Sequence, residues 1–260
     1  MTFAGAVVDL DGTVYHDGEP IDGALNGIDR LQSLPDGVLY VSNNPGHSSQ
    51  QFVDRLTAIG IETQRDRILS SGIVTTEYLA SAHSDANVFV VGSAGLREQL
   101  QAAGIRCCDD PTVADVFLAS WTPEFAYDDL VSALRAFEQE IPFYGTDPDR
   151  TFPDGDGRPV PGSGSIIRAI AETTGREPDQ IFGKPSDRMI DAITNRLAHP
   201  TDEYLLIGDR IDTDITLGER AEMTTVLVET GSNKDTTPNA TVEPDFTVDS
   251  LGDIGSILDK

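Results

Sequence analysis

Positive charge is the scarcest feature of this 260-residue sequence. It contains 18 Lys and Arg residues against 44 Asp and Glu residues, a formal net charge of −26, and lysine occurs only at Lys184, Lys234 and Lys260. A surface of this charge repels nucleic acid and anionic membranes. The acidic residues are spread over the whole chain, which predicts a halophilic protein with a solvated acidic surface. The alternative is a mildly acidic mesophilic enzyme.

Cysteine and long apolar runs are also scarce. No apolar run has the length needed to cross a bilayer, and the first residues do not form a basic region followed by an apolar stretch, so no secretory signal is expected. The two cysteines, Cys107 and Cys108, are adjacent, an arrangement that rarely forms a structural disulfide. Together these features predict a cytoplasmic protein with ordinary reduced cysteines.

Apolar runs and amphipathic segments alternate from end to end, which predicts an α/β fold with a parallel sheet. The predicted strands are residues 6–10, 38–41, 88–91, 116–119, 204–207, 225–228 and 246–248. The predicted helices are residues 24–33, 49–59, 72–82, 96–103, 127–138, 165–174, 186–197 and 213–221. Residues 146–164, rich in Pro and Gly, are too irregular for a strand or helix and are expected to form a long loop, either functional or a simple surface insertion.

Four groups of polar residues each follow a predicted strand or a short apolar pair. In chain order they are Asp9 with Asp11, Ser42 with Asn43, Lys184 after the apolar pair at 181–182, and Asp209 with Asp214. Ligands bind beyond the carboxyl ends of the strands in an open parallel sheet, so the four groups are expected to meet in one crevice. Each group alone has an ordinary explanation as a turn, a helix cap or a surface residue. The prediction therefore depends on their joint occurrence.

These residue types suit the transfer of a phosphoryl group. A carboxylate such as Asp9 can attack phosphorus and form an aspartyl-phosphate. Mg²⁺ offsets the repulsion between the two anions and prefers oxygen ligands, which Asp9 and Asp209 can supply. Lys184 adds a compact positive charge, and Ser42 can bind the phosphoryl oxygens. Asp11, two residues after Asp9, can protonate the leaving alcohol and then activate water.

The same residues resemble the four motifs of the haloacid dehalogenase superfamily: Asp-Leu-Asp-Gly-Thr at 9–13, Ser42, Lys184, and Gly208-Asp209 with Asp214. The resemblance implies that Asp9 is the nucleophile and Asp11 the general acid and base. It implies that Mg²⁺ is bound by Asp9, the backbone carbonyl of Asp11 and Asp209, with Asp214 just outside the ligand set. Ser42, Asn43 and Lys184 are then expected to bind the substrate. Asp11 argues against a dehalogenase proper, since that reaction has no leaving alcohol to protonate.

The flanking residues resemble one branch of the superfamily, which contains the nucleotide-sugar phosphatase NagD and the p-nitrophenyl, phosphoglycolate and pyridoxal phosphate phosphatases. Residues 14–21 read as a hairpin with an Asp-Gly turn, like the flap of the family. The branch inserts a large α/β cap between its second and third motifs. The resemblance therefore implies a Rossmann-like core domain at 1–83 and 180–260 and an inserted cap domain at 84–179.

Two positions depart from the pattern of this branch. The cap loop usually reads Thr-Asn-x-Asp, but here Asp147 follows Thr146. An aspartate of the relatives, just before a Phe-x-Tyr segment, is replaced by Thr122. Both changes lie away from the four motifs, so they bear on the identity of the substrate and leave the expected chemistry intact.

The sequence thus predicts a magnesium-dependent phosphatase of small phosphorylated metabolites, of the sugar phosphate, phosphoglycolate or glycerol phosphate type. A phosphotransferase or phosphomutase with the same chemistry is one alternative, and a catalytically idle binding protein is another. The first alternative is disfavoured because such relatives generally have a small helical cap, the second because Asp9, Asp11, Lys184 and Asp209 are all present. No nucleic-acid or membrane partner is expected, and association into a homo-oligomer is left open.

Overall fold

The computed structural model of the protein describes residues 3–231 and 242–259. Of these residues, none belongs to a helix with the length and apolarity that a bilayer crossing requires. The strands are β1 Gly5–Asp9, β2 Tyr15–His16, β3 Glu19–Pro20, β4 Gly37–Ser42, β5 Ile68–Ser70, β6 Asn87–Val91, β7 Arg106–Cys108, β8 Val116–Ala119, β9 Phe143–Gly145, β10 Thr151–Pro153, β11 Pro159–Pro161, β12 Gln180–Ile181, β13 Tyr204–Gly208, β14 Thr224–Val228 and β15 Phe246–Val248. The α-helices are α1 Ala24–Gln32, α2 Ser49–Ala58, α3 Ser71–Ala82, α4 Ala94–Ala102, α5 Tyr127–Ala136, α6 Ser163–Thr174, α7 Asp187–Thr194, α8 Thr216–Arg220 and α9 Gly255–Leu258.

The chain divides into two compact units. The first unit comprises Met1–Ser42, Ser49–Leu69 and Lys184–Lys260, and the second comprises Asn43–Ser48 and Ser70–Gly183. These limits describe compactness in space, and the assignment of residues 84–179 to an inserted cap stays a prediction.

The sheet of the first unit has the strand order β15-β14-β13-β1-β4-β5, and its pairs from β15 to β4 are parallel. Both β1 and β13 are buried along their whole length, as expected for strands covered on both faces. If the six strands of this sheet are numbered 1 to 6 as they occur along the chain, their order across the sheet is 3-2-1-4-5-6, which is the doubly wound arrangement. Its strand order reverses between β1 and β13, and ligands bind at the carboxyl ends of the strands flanking such a point. The fold therefore predicts a site where β1 and β13 end.

The second unit has its own parallel sheet, with the order β12-β9-β8-β6-β7. Aromatic rings make up much of its core: Phe117 on β8 stacks on Phe89 at 5.6 Å and meets Phe143 edge-on at 5.7 Å. Cys107 and Cys108 lie on β7, the edge strand, as half-buried free thiols. The α/β class with parallel sheets, predicted from the sequence, is confirmed in both units.

The strand that precedes Lys184 lies in an unexpected place. The sequence placed it with the strands that carry the other three polar groups, but β12 pairs with β9 in the sheet of the second unit. The two-residue strand carries no signal that would assign it to either sheet. The position of Lys184 therefore does not follow from the rule that relates ligands to strand ends of one sheet.

Residues 146–164 are more regular than predicted. They contain the antiparallel pair β10 and β11, joined by a turn in which Asp154 accepts hydrogen bonds from the backbone N–H groups of Asp156 (3.0 Å) and Arg158 (2.8 Å). The prolines of the two strands cannot donate hydrogen bonds, but the residues flanking them do: Asp154 N–H bonds to Arg158 and Gly162 N–H to Arg150, each at 2.8 Å. Because the residues that flank the prolines supply the hydrogen bonds, this hairpin tolerates proline in both strands. The Pro- and Gly-rich composition alone did not indicate a hairpin.

Candidate active site

The first motif forms a tight turn at the end of β1. Asp9 is the last residue of the strand, and the hydroxyl of Thr13 donates to its Oδ2 at 3.1 Å. Gly12 has φ of +88°, in the left-handed region that favours glycine, and the N–H of Val14 returns to the carbonyl of Leu10 at 2.9 Å. The turn fixes the Asp9 carboxylate at the strand end and leads into the hairpin β2–β3, whose Asp17-Gly18 turn was predicted.

The fourth motif follows β13 and supplies two further carboxylates. Asp209 comes directly after the strand, and a π-helical turn at Ile211–Ile215 then precedes α8. Such turns widen a helix by one residue and often occur at functional sites. This turn brings Asp214 back against Gly208, where a Cβ would collide with its carboxylate. The N–H of Arg210 donates to Asp214 Oδ2 at 3.1 Å.

Lys184 lies between two of these carboxylates. Its ammonium group donates to Asp214 Oδ1 at 2.7 Å and to Asp9 Oδ1. Burial alone would lower the pKa of Lys184, but the carboxylates of Asp214 and Asp9 more than offset this and raise it. These contacts favour the protonated, positively charged form of Lys184.

Three acids and one lysine form a buried cluster in which the carboxyl groups outnumber the single ammonium group. Asp9, Lys184, Asp209 and Asp214 are each between 1% and 5% exposed, and one carboxylate oxygen from each acid lies within 4.8 Å of the others. Burial raises the pKa of Asp9 well above its usual value; Lys184 opposes this, while Asp214 and Asp209 add to it. The acids thus crowd one another more than a single ammonium can balance.

The donor set fits a hard divalent cation. Buried carboxylate oxygens are the ligands that Mg²⁺ prefers, and a second cation beside Lys184 would offset the remaining negative charge. Asp214 has its two oxygens engaged by Lys184 and Arg210. Both oxygens of Asp9 are engaged as well, by Lys184 and Thr13, so the choice of Asp9 and Asp209 as the ligands stays a prediction.

Asp11 and Ser42 form a second group in the same unit. The residue Asp11 is open to solvent, yet protein atoms crowd its carboxyl group and raise its pKa. Arg55 and Lys184 act in the opposite direction, as does a hydrogen bond from Ser42. The guanidinium of Arg55 lies over the buried ring of Tyr15, 5.4 Å from its centroid. The predicted general acid is thus bonded to the predicted substrate-binding serine.

Asn43 lies in the second unit, beside a buried acid. A Cβ added to Gly183 would lie 2.7 Å from Asn43 Oδ1 and 2.7 Å from Asp147 Cβ, so the two side chains flank that glycine. Asp147 accepts from the hydroxyl of Thr146 at 2.9 Å and from the N–H of Asp149 at 3.3 Å. Burial raises the pKa of Asp147 to about 8, the carboxylate of Asp149 adds to this, and hydroxyl donors act against it. Asp147 is thus largely uncharged at neutral pH.

Several contacts around the acids have no counterpart in the sequence prediction. Thr13 was noted only as part of the first motif, yet it bonds to Asp9. Thr230 and Gly231 follow β14, which neighbours β13 on the side opposite to β1. The Thr230 hydroxyl donates to the Gly12 carbonyl at 2.7 Å. Gly231 lies directly against Asp209. No local pattern marks these residues, because their role depends on the strand order β14-β13-β1.

The comparisons with known proteins agree with this geometry. Residues 6–106 match the family model described as haloacid dehalogenase-like hydrolase, and residues 181–254 match a second model, described as HAD-hydrolase-like. The sugar-phosphatase AraL of Bacillus subtilis is 32% identical over 257 residues, which cover 99% of this chain and 94% of that protein. The acid sugar phosphatase of Staphylococcus haemolyticus is 32% identical over 229 residues, 88% of this chain and 86% of that protein.

Solved structures give the same grouping. The p-nitrophenyl phosphatase from Archaeoglobus fulgidus superposes with a TM-score of 0.91 at 32% identity, covering 99% of this chain and 100% of that one. NagD from Escherichia coli K-12 superposes with a TM-score of 0.82 at 25% identity, covering 98% of this chain and 99% of that one. The chain therefore belongs to the haloacid dehalogenase-like hydrolases, in the branch of the NagD-like and p-nitrophenyl phosphatases.

Proposed function

We propose that the chain is a magnesium-dependent phosphatase that hydrolyses small phosphate monoesters, of the sugar phosphate, phosphoglycolate or glycerol phosphate type, through an aspartyl-phosphate on Asp9. The observation that carries this proposal is the buried cluster of Asp9, Asp209 and Asp214 around Lys184 at the end of β1. The names of the relatives, which include sugar phosphatases and p-nitrophenyl phosphatases, support a phosphate monoester as substrate.

In the first step, Asp9 attacks the phosphorus atom and the bond to the leaving oxygen breaks. Asp11 gives its proton to that oxygen, so the product leaves as a neutral alcohol. The raised pKa of Asp11 favours the protonated form that this step requires. Thr13 holds the other oxygen of Asp9 and so orients the attacking one.

In the second step, water hydrolyses the aspartyl-phosphate. Asp11, now ionised, takes a proton from the water as the water oxygen bonds to phosphorus, and the bond from phosphorus to Asp9 breaks. Inorganic phosphate leaves and both carboxyl groups return to their starting states. Lys184 and Ser42 bind phosphoryl oxygens throughout, with Asn43 as a further predicted contact.

The proposed ligands of Mg²⁺ are the carboxylates of Asp9 and Asp209 and the backbone carbonyl of Asp11. The bound ion supplies positive charge against the combined negative charge of the carboxylate and the phosphoryl group. Asp214 keeps Lys184 in place through the 2.7 Å contact. We further propose that residues 84–179 act as the inserted cap domain, and that substrates are therefore small metabolites.

The test combines a substrate panel with two variants. Purified protein with Mg²⁺ is expected to release phosphate from some phosphorylated metabolites but not rapidly from a phosphoprotein. Asp9→Asn keeps the shape of the side chain and is expected to lower the rate by several orders of magnitude with the fold retained. Asp212→Asn is the matched control, since Asp212 is exposed and pairs with Arg210. If Asp9→Asn kept a tenth of the wild-type rate, Asp9 would not be the nucleophile.

A further inference from the structure

A threonine hydroxyl joins two segments of the chain across the end of β13. Thr230 lies just beyond β14, and its hydroxyl donates to the carbonyl oxygen of Gly12 at 2.7 Å. Gly12 lies just beyond β1, and β13 runs between these two strands in the sheet. The hydrogen bond therefore passes over the end of β13, where Asp209 is placed.

The two segments approach Asp209 from opposite sides. On the β1 side, a Cβ at Gly12 would lie 2.8 Å from Asp209 Oδ2 and 3.0 Å from Cγ. On the β14 side, a Cβ at Gly231 would lie 2.7 Å from Asp209 Cβ and would overlap its carboxylate. The side chain of Asp209 is thus held in a slot between two glycine backbones, which can come this close only because glycine has no side chain.

The geometry points to Thr230 and Gly231 as positioning residues that hold the carboxylate of Asp209 in the orientation that binds the metal ion. This inference rests on the proposed function, in which Asp209 is a ligand of Mg²⁺. Three buried acids repel one another, and a short side chain that was free to rotate would turn away from its neighbours. The slot opposes that rotation before the ion arrives, and outer contacts of this kind commonly change metal affinity by about 10–100-fold.

Gly231 provides the cleaner test of the slot. Gly12 has φ of +88°, so any substitution there would also strain the backbone. Gly231 does not lie in the left-handed region, and the three atoms nearest to an added methyl group at this position all belong to Asp209. Thr230 allows a graded test because valine removes the hydroxyl at constant shape and serine retains it.

The experiment measures Mg²⁺ affinity by isothermal titration calorimetry on the full chain without substrate. Thr230→Val is expected to weaken binding about tenfold and Gly231→Ala about 100-fold, whereas Thr230→Ser stays close to the wild type. In turnover assays, the rate of Thr230→Val should recover at saturating Mg²⁺, because the ion then compensates for the lost orientation. A purely structural role would lower the melting temperature without this dependence on Mg²⁺.

Thr225→Val is the matched control. Thr225 lies on β14, is buried and donates to Asp245 at 2.8 Å, and it pairs with Leu206, three residues before Asp209. Its replacement should lower the melting temperature and leave the Mg²⁺ affinity unchanged. If both Thr230→Val and Gly231→Ala bound Mg²⁺ with wild-type affinity, this inference would be wrong and the proposed function would be unaffected. A wild-type protein that binds no Mg²⁺ would overturn the proposed function and the inference with it. Circular dichroism identifies any variant that fails to fold, and the remaining variants then decide.

Discussion

Lys184 lies 2.7 Å from Asp214 and has its other carboxylate contact with Asp9, so one buried ammonium joins the proposed nucleophile to the acid of the fourth motif. The lysine thus has a structural role besides the phosphate binding proposed for it. It keeps the three acids compatible with a folded protein.

Replacement of this lysine should therefore destabilise the fold. Lys184→Met keeps the length of the side chain but leaves buried carboxylates without their cation, and we expect a loss of about 3–5 kcal/mol of unfolding free energy in Mg²⁺-free buffer. Added Mg²⁺ should restore part of it by binding the native state. Urea denaturation with and without Mg²⁺ measures both effects. Arg30→Met is the control, because the exposed pair Arg30–Asp259 is worth only about 0–1 kcal/mol. Equal losses in the two variants would contradict the prediction.

The second prediction separates the two steps of the reaction. Asp11→Asn should impair protonation of the leaving group and also hydrolysis of the aspartyl-phosphate. Because p-nitrophenol is a good leaving group, p-nitrophenyl phosphate should still phosphorylate Asp9 slowly, and the adduct should accumulate. Acid quenching followed by mass spectrometry of the Asp9 peptide detects it. Unchanged turnover together with an unmodified peptide would exclude this role for Asp11.

Asp147 gives a prediction for pH. Its folded-state pKa is about 8, whereas an unfolded aspartate titrates near ~3.9. Between these values the unfolded chain releases the proton and the folded chain keeps it, so stability falls as pH rises from about 4 to about 8 and is constant beyond. Asp147→Asn cannot ionise, and it should be more stable than the wild type by roughly 2–5 kcal/mol at pH 8 but not at pH 4.

The measurement is a series of melting curves from pH 4 to pH 9. Asp149→Asn serves as the comparison: it removes the neighbouring charge that raises the pKa of Asp147 and should recover only part of the gain. Parallel pH profiles for the wild type and Asp147→Asn would mean that Asp147 is ionised in the folded protein.

The fourth prediction concerns salt. A net charge of −26 means strong repulsion within the folded state. At ~0.15 M salt the Debye length is ~8 Å, and at ~1 M it falls to ~3 Å, so concentrated salt screens this repulsion far better. We expect molar KCl to raise both the melting temperature and the activity, and millimolar Mg²⁺ to restore part of the stability at low salt. A melting temperature that is flat or falls with KCl would restore the mesophilic interpretation.

The parts of the site that were predictable from the sequence are those encoded locally. The run of small and apolar residues in β1 marks a buried strand, and the acid that ends it follows directly. Asp209 follows β13 in the same way. Doubly wound order then brings the two strand ends together, so Asp9 and Asp209 could be expected to meet.

The rest depends on packing between distant segments. Lys184 follows β12, which belongs to the sheet of the second unit. The sequence shows only a two-residue apolar pair there, which does not indicate the sheet to which the strand belongs. Asp214 reaches the cluster through a π-helical turn that helical periodicity does not distinguish from an ordinary helix. Thr230 contacts Gly12 across 218 residues of chain, and only the strand order explains their meeting.

The adjacent thiols of Cys107 and Cys108 on β7 have a practical consequence. They are the only cysteines of the chain, and both belong to the second unit, so a maleimide dye or spin label would report on that unit without any engineered residue. Burial raises the pKa of each thiol, so labelling should be slow near neutrality and accelerate under alkaline conditions. The native protein therefore offers its own labelling position for following the second unit while the acids of the candidate site are substituted in the first.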